Sequence, residues 1–174
     1  MVLEIRRATH EDVSNICEFG RRTFDIAYRK LFKKEAILDD YLKTAFSKEK
    51  ITKSVAKEEN NYWVVYIENQ LISYAKVKTA SPSVFIDEKT GVGKLQRIYV
   101  SPDSIAQGIG GKLHQFILDE LQQEGLTNVW LSVLKINTKA IRFYKKYQYR
   151  IIGEHLFTIG DEVFDFWVMC KKIP

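Results

Sequence analysis

Two stretches of this 174-residue chain hold residue types whose spacing could do chemistry. The first is Gln107-Gly108-Ile109-Gly110-Gly111-Lys112, which follows the strand-like run Leu95–Val100 and a Ser101-Pro102 stop. A glycine-rich turn that opens a helix presents free backbone N–H groups at the positive end of the helix dipole. That arrangement suits a phosphate or pyrophosphate. Glycine matters there because a Cβ would hold the anion away. Taken alone, the run also reads as a tight strand-to-helix turn. It is not a P-loop, since no Gly-Lys-Ser/Thr follows. Nor is it a dinucleotide fingerprint, since Gly-x-Gly-x-x-Gly is incomplete.

The second stretch is Asn137-Thr138-Lys139-Ala140-Ile141-Arg142-Phe143-Tyr144-Lys145-Lys146-Tyr147, directly after the strand-like Val129–Leu134. Asn137 stands where a helix cap or a polar ligand contact falls. Tyr144 shares a helix face with Ala140 and Ile141 and is either a core aromatic or a phenol with a proton to give. A phenol with a pKa of about 10 is protonated at pH 7, whereas a thiol near ~8.5 leaves poorly without a proton.

The elements that must hold these stretches follow from periodicity. Leu3–Arg7 reads as a strand, and Thr9-x-x-Asp12 as a capping box that starts a helix carrying Val13, Ile16, Cys17, Gly20 and Phe24. Lys34–Phe46 reads as a second helix, and Ser47 caps a third that runs to Glu58. Tyr62–Ile67 and Leu71–Thr79 form a hairpin about Glu68-Asn69-Gln70, and residues 80–93 are the longest loop. Then come strand Lys94–Val100, helix Gly110–Glu124, strand Val129–Leu134 and helix Asn137–Tyr147. Strands Arg150–Ile159 and Glu162–Lys172 close the chain about a Gly160-Asp161 turn. The order is β-α-α-α-β-β-β-α-β-α-β-β. Two β-α-β units in the second half predict a mixed sheet with parallel pairing at its centre.

Both stretches in this order, with a strand between them, resemble the GNAT N-acetyltransferase superfamily. The likeness covers essentially the whole chain and rests on Arg97-Ile98-Tyr99-Val100-Ser101-Pro102, Gly108-x-Gly110 and Asn137-x-x-Ala140-x-x-Phe143-Tyr144. Within it the chain is most similar to bacterial PaiA-type spermidine/spermine acetyltransferases. That likeness rests on Thr23-Phe24, Tyr41-Leu42, Ala45-Phe46, Leu95–Val100, Gly153-Glu154-His155 and Gly160-Asp161-Glu162. The resemblance implies one domain over residues 1–174 with a mixed α/β fold. Its seven-stranded sheet is splayed between strands 4 and 5, with helices on both faces and acetyl-CoA in the opening. It places the backbone of Ile98, Tyr99 and Val100 at the acetyl and pantetheine end. Gln107, Gly108, Ile109, Gly110, Gly111 and Lys112 fall at the pyrophosphate, Asn137 and Lys145 along the CoA arm, and Tyr144 at the thioester sulfur. Ile105 stands where the family usually has Gln or Arg, and Gln148 where it usually has Gly.

Composition agrees with such a protein. The net charge is +5 and the sequence pI about 9.1, which fits an anionic cofactor but is too modest to indicate nucleic acid. A 45% hydrophobic, 28% charged composition is that of a folded globular chain. No run approaches a membrane span, and the N-terminus lacks a signal-peptide pattern, so a cytoplasmic location is expected. Cys17 and Cys170 read as reduced core thiols, and His10, His114 and His155 form no metal pattern.

For the acceptor, Phe24, Tyr28 and Tyr41 read either as helix packing or as an aromatic slot for an ammonium. Glu154, His155 or a backbone-held water are open as the general base. Glu154 or Asp165 could hold a polyamine's second ammonium. A small primary amine, with polyamines foremost, is the expected acceptor. The alternatives are a peptide or protein amine, or a CoA- or nucleic-acid-binding regulator with little catalysis. Oligomeric state is open, a homodimer included.

Overall fold

The computed structural model describes residues 3–174. The elements, in chain order, are β1 (Leu3–Arg7), α1 (Val13–Tyr28), α2 (Glu35–Ala45), α3 (Lys48–Val55), β2 (Asn60–Ile67), β3 (Gln70–Lys78) and β4 (Val92–Val100). They continue with α4 (Ile109–Gln123), β5 (Asn128–Leu134), α5 (Thr138–Lys146), β6 (Arg150–Ile159) and β7 (Glu162–Lys172). The strands hydrogen-bond as one seven-stranded sheet in the order β1-β2-β3-β4-β5-β7-β6. The chain divides into two compact units. One is the chain up to Val77 with Arg97–Ile117; the other is Lys78–Gln96 with Leu118–Pro174.

In the first unit β1 runs antiparallel to β2, from Leu3 opposite Ile67 to Arg7 opposite Trp63. The expected capping box is present: Asp12 Oδ2 accepts the Thr9 N–H at 2.8 Å, and Thr9 Oγ1 accepts the Glu11 N–H at 3.3 Å. It opens a short 3-10 turn that runs straight into α1. The inward face of α1, with Val13, Ile16 and Phe19, packs on Tyr62, Val64 and Tyr74 of β2 and β3. Gly20 is needed for this contact, because a Cβ there would lie 2.6 Å from the Phe46 ring and 2.7 Å from the Tyr74 hydroxyl. α3 ends at Val55, short of Glu58. Its last turn tightens through Lys57 N–H to Ser54 O, and the Asn60 side chain donates to that same carbonyl.

Asp12 is 3% exposed, and its carboxylate takes both Arg6 guanidinium nitrogens at 2.8 and 3.0 Å as well as the Tyr66 hydroxyl at 2.9 Å. Burial alone would raise its pKa; the hydrogen bonds from Arg6, Thr9 and Tyr66 outweigh burial and hold it below the usual carboxylate range. A folded pKa below the unfolded one gives stability that is complete above the unfolded value near ~3.9. That stability is lost as pH falls through the folded value. Asp12→Asn should therefore cost about 3 kcal/mol at pH 7, because it removes the charge that pairs with Arg6 and puts an N–H₂ donor where one of the two acceptor oxygens stood. The gap to wild type should narrow in denaturant melts run progressively below pH 4; a gap independent of pH would contradict the charge argument.

In the second unit the start of β4 pairs in parallel with β5, over Val92–Asn128, Gly93–Val129 and Lys94–Trp130. β7 is antiparallel to β5 from Asn128–Lys172 to Leu134–Phe166, and β6 is antiparallel to β7. The expected β-α-β order is present, since β5 and β6 are both antiparallel to β7 and so run the same way. They are not neighbours, because β7, returned by the tight Gly160-Asp161 turn (Gly160 φ +61°), lies between them. A register shift between Ile151 and Gly153 bends β6. A Cβ on Gly153 would lie 2.5 Å from the Phe85 ring, so this glycine is what admits the 79–91 loop onto β6. Trp130 Nε1 ties the same loop down at Ser81 O, 2.7 Å away. No helix among the described residues is long and apolar enough to cross a membrane. Both cysteines are free thiols; Cys17 is buried as expected, whereas Cys170 is only half-buried.

Candidate active site

In the first unit β4 ends at Val100, and a 3-10 turn over Pro102–Gln107 leads to Gly108, which has φ +73°. This left-handed residue turns the chain into α4, and no atom lies within 4 Å of where its Cβ would be. The first backbone bond inside the helix is Lys112 N–H to Gly108 O at 3.1 Å, so the Ile109, Gly110 and Gly111 amides fall at the helix start. Ile109 is buried and anchors the turn, Gly110 and Gly111 are half-buried, and Gly108 and Lys112 are exposed. Gln107 also lies on the surface, and its side chain donates to Asp103 O. The expected glycine turn at Gly108–Gly111 does open a helix, with Ile109, Gly110 and Gly111 in its first turn.

On β4 the Ser101 N–H donates to Ile72 O at 2.8 Å and the Ser73 hydroxyl to Tyr99 O at 2.7 Å. Ile98 and Val100 are half-buried beside Tyr99. The Tyr99 ring packs edge-on against Tyr74 at 5.4 Å and, tilted, against Phe46 at 6.4 Å. Phe24, Tyr28 and Tyr41 do come together, with the Phe24 ring 4.6 Å from Tyr28, 5.1 Å from Tyr41 and 6.0 Å from Phe46. All three are half-buried and pack on one another as helix packing would have them. The Arg97 guanidinium lies 4.4 Å from the Phe46 ring centre. Burial opposes its charge, yet Tyr74, Tyr99 and Tyr41 keep its pKa above the ordinary arginine value.

In the second unit Asn137 caps α5, its Oδ1 accepting the Ala140 N–H at 3.1 Å. At the other end Gln148 takes the left-handed conformation (φ +68°) that glycine usually fills. Gln148 N–H bonds Lys145 O and Tyr149 N–H bonds Tyr144 O, both at 3.0 Å. This is the paired closure of a helix C-terminus, with Tyr149 packed back on Tyr144 at 5.5 Å. The half-buried Tyr144 is thus held from both sides, its backbone carbonyl by the closure and its ring by Phe143 and Tyr149. Lys145 is exposed on the last turn.

The carboxylates expected to hold a second ammonium are engaged. Lys135 forms a hydrogen-bonded ion pair with Glu154 and lies 3.0 Å from Asp165, with its ammonium 4.1 Å from the Trp167 ring centre. His155 stacks on Phe166 at 5.3 Å, and its Nε2 meets the Ser132 hydroxyl at 2.8 Å. His155 is thus half-buried and held by its neighbours. Sequence reasoning missed Arg97, Ser132 and Lys135 as contributors. Lys135 and Ser132 reach β6 residues only because β7 lies between β5 and β6, which strand patterning alone does not show.

A mixed seven-stranded sheet in the order β1-β2-β3-β4-β5-β7-β6, with its short parallel β4–β5 pairing, is the sheet of the acetyltransferase fold. The model of the acetyltransferase (GNAT) family matches residues 23–149, and the chain belongs to that family. It is an acetyl-CoA-dependent N-acetyltransferase. It is 21% identical over 155 residues to a spermidine N(1)-acetyltransferase of Thermoplasma acidophilum, a match that spans 87% of this chain and 90% of that one. It is 36% identical over 81 residues to the ribosomal protein bS18-alanine N-acetyltransferase of Escherichia coli, covering 46% of this chain and 52% of that one. The crystal structure of the PaiA N-acetyltransferase of T. acidophilum in complex with coenzyme A has the same fold. The two superpose with a TM-score of 0.81 at 20% identity, over 99% of both chains.

Proposed function

We propose that the acceptor is a small primary amine that attacks the acetyl-CoA thioester directly. The observation that carries the donor side is the α4 turn, where the left-handed Gly108 opens a helix of 15 residues whose first amides suit a pyrophosphate. Gln107, Lys112 and Lys145 lie on the surface, where their polar or charged ends can meet the anionic cofactor. Asn137 commits its Oδ1 to the helix cap and keeps its amide N–H₂ to contact the CoA arm. The backbone N–H groups of Ile98 and Val100 meet the acetyl oxygen as it gains charge. The neutral amine nitrogen forms a bond to the acetyl carbon, the carbon–sulfur bond breaks, Tyr144 gives its proton to the departing thiolate, and the proton shed by the nitrogen passes through a base or water to return Tyr144 to its phenol form. Glu154 and His155 belong to the acceptor side, with His155 held in place by Ser132.

The slot of Phe24, Tyr28 and Tyr41 supports an amine acceptor by cation–π attraction. A polyamine is one such acceptor, and the Thermoplasma relative supports it. A peptide N-terminus is the second reading, favoured by the match to the bS18-alanine enzyme. Thiol release from acetyl-CoA, measured against monoamines, spermidine, spermine and a peptide panel, separates them. Small amines should be turned over, with rates rising between about pH 7 and 9 as more amine (pKa about 10.4) loses its proton. Turnover of peptides alone would overturn the small-amine reading.

A further inference from the structure

β6 is the outer strand of the sheet on the side of the second unit. β7 takes its inner edge, and no backbone hydrogen bond from another segment of the described residues reaches it. Its outer row of N–H and C=O groups is therefore open. Edge strands are usually blunted by lysine, proline, charge or a bulge. Past the irregularity at Ile151/Gly153, the seven residues Gly153–Ile159 pair with β7 in unbroken register. That is about 23 Å of regular strand. It contains no proline and no lysine, and its one carboxylate, Glu154, is held by Lys135. Phe85 of the 79–91 loop lies where a Gly153 Cβ would point, over the face of the strand and not along its edge.

The side chains beside this edge are apolar. Leu156 is 67% exposed on one face and Phe157 48% exposed on the other. With Ile151 and Val163, the β6–β7 hairpin carries four of the nine large apolar side chains exposed among the described residues. An open, regular edge with apolar groups on both faces is a template for another strand. Charge indicates which strand. Arg150 is exposed at the start of β6, where Lys171 and Lys172 end β7, and Asp161 and Glu162 stand at the opposite end. Laid antiparallel on a copy of itself, the hairpin puts its basic end on an acidic end twice over; laid parallel, it puts like on like.

We propose that β6 pairs antiparallel with β6 of a second copy, about a two-fold axis through Leu156. Leu156 is the midpoint of Gly153–Ile159, so this axis brings all seven regular residues into the new ladder. It sets Leu156 against its own counterpart, Phe157 against His155, and Arg150 beside the Gly160-Asp161-Glu162 turn of the second copy. The two sheets join as one, and each copy covers the other's edge. The pairing is independent of which amine is acetylated.

Sedimentation and light scattering on the full chain test it. At about 100 μM the protein should have twice the 20.3 kDa mass of one chain and should dissociate on dilution. Leu156→Lys sets two like charges against each other at the axis and should weaken the dimer by about 10-fold or more. Arg150→Glu and Asp161→Lys should each weaken it by a similar factor. The double swap should restore it, which a loss caused by misfolding would not allow. Opposed Cα atoms in an antiparallel ladder stand about 4.5–5.5 Å apart, within disulfide reach. Leu156→Cys combined with Cys170→Ala should therefore cross-link to its own counterpart on mild oxidation, and Thr158→Cys in the same background should not. A wild-type monomer at the same concentration, a dimer that these substitutions leave intact, or cross-linking at Thr158 in place of Leu156 overturns the assignment.

Discussion

Tyr144→Phe is expected to lower kcat by about 100-fold or more while the melting temperature barely moves. The substitution keeps the ring contacts with Phe143 and Tyr149 at 5.4 and 5.5 Å and leaves the helix closure at Gln148 and Tyr149 intact. Only the hydroxyl is lost. Without it the thiolate leaves unprotonated and every turnover bears that penalty, whereas acetyl-CoA binding keeps its backbone contacts. KM for acetyl-CoA should therefore change far less than kcat. A rate within a few-fold of wild type would mean that Tyr144 is there only for packing, and the proton would have to come from elsewhere.

Gly110→Leu should separate stability from cofactor binding. Leucine is a better helix residue than glycine by about 1 kcal/mol, so the unliganded protein should melt no lower than wild type. Its side chain would stand where a pyrophosphate approaches the α4 amides. In wild type a ligand at a hundredfold excess over Kd adds about 2.7 kcal/mol, which for a chain of this size raises the melting temperature by roughly 5–10 °C. In Gly110→Leu that rise should vanish. A full rise in the variant would move the phosphate site away from α4.

The parts of this protein that were legible in the sequence are those set by neighbours along the chain. Thr9 and Asp12 stand three apart and form their capping box; Gly160-Asp161 sits between two alternating strands and makes their turn. Gln148 replaces the usual glycine after α5 without altering the closure, since the backbone bonds to Tyr144 and Lys145 do not depend on its side chain. What was not legible depends on strands distant in sequence. The insertion of β7 between β5 and β6 sets which residues face each other, so that Lys135 pairs with Glu154 and Asp165 and Ser132 meets His155. The meeting of Phe24, Tyr28 and Tyr41 was visible from helix spacing. That Arg97, on a strand far along the chain, would lie over the neighbouring Phe46 ring was not.

The most direct measurement is the stoichiometry of a single reaction followed by mass spectrometry and thiol titration. Acetyl-CoA, enzyme and one accepted amine should yield N-acetylated amine and free CoA thiol in equal amounts, with no thiol formed when the amine is left out. Thiol released without acetylated amine, or acetylated amine absent at saturating acetyl-CoA across every amine tried, would contradict acetyl transfer to nitrogen.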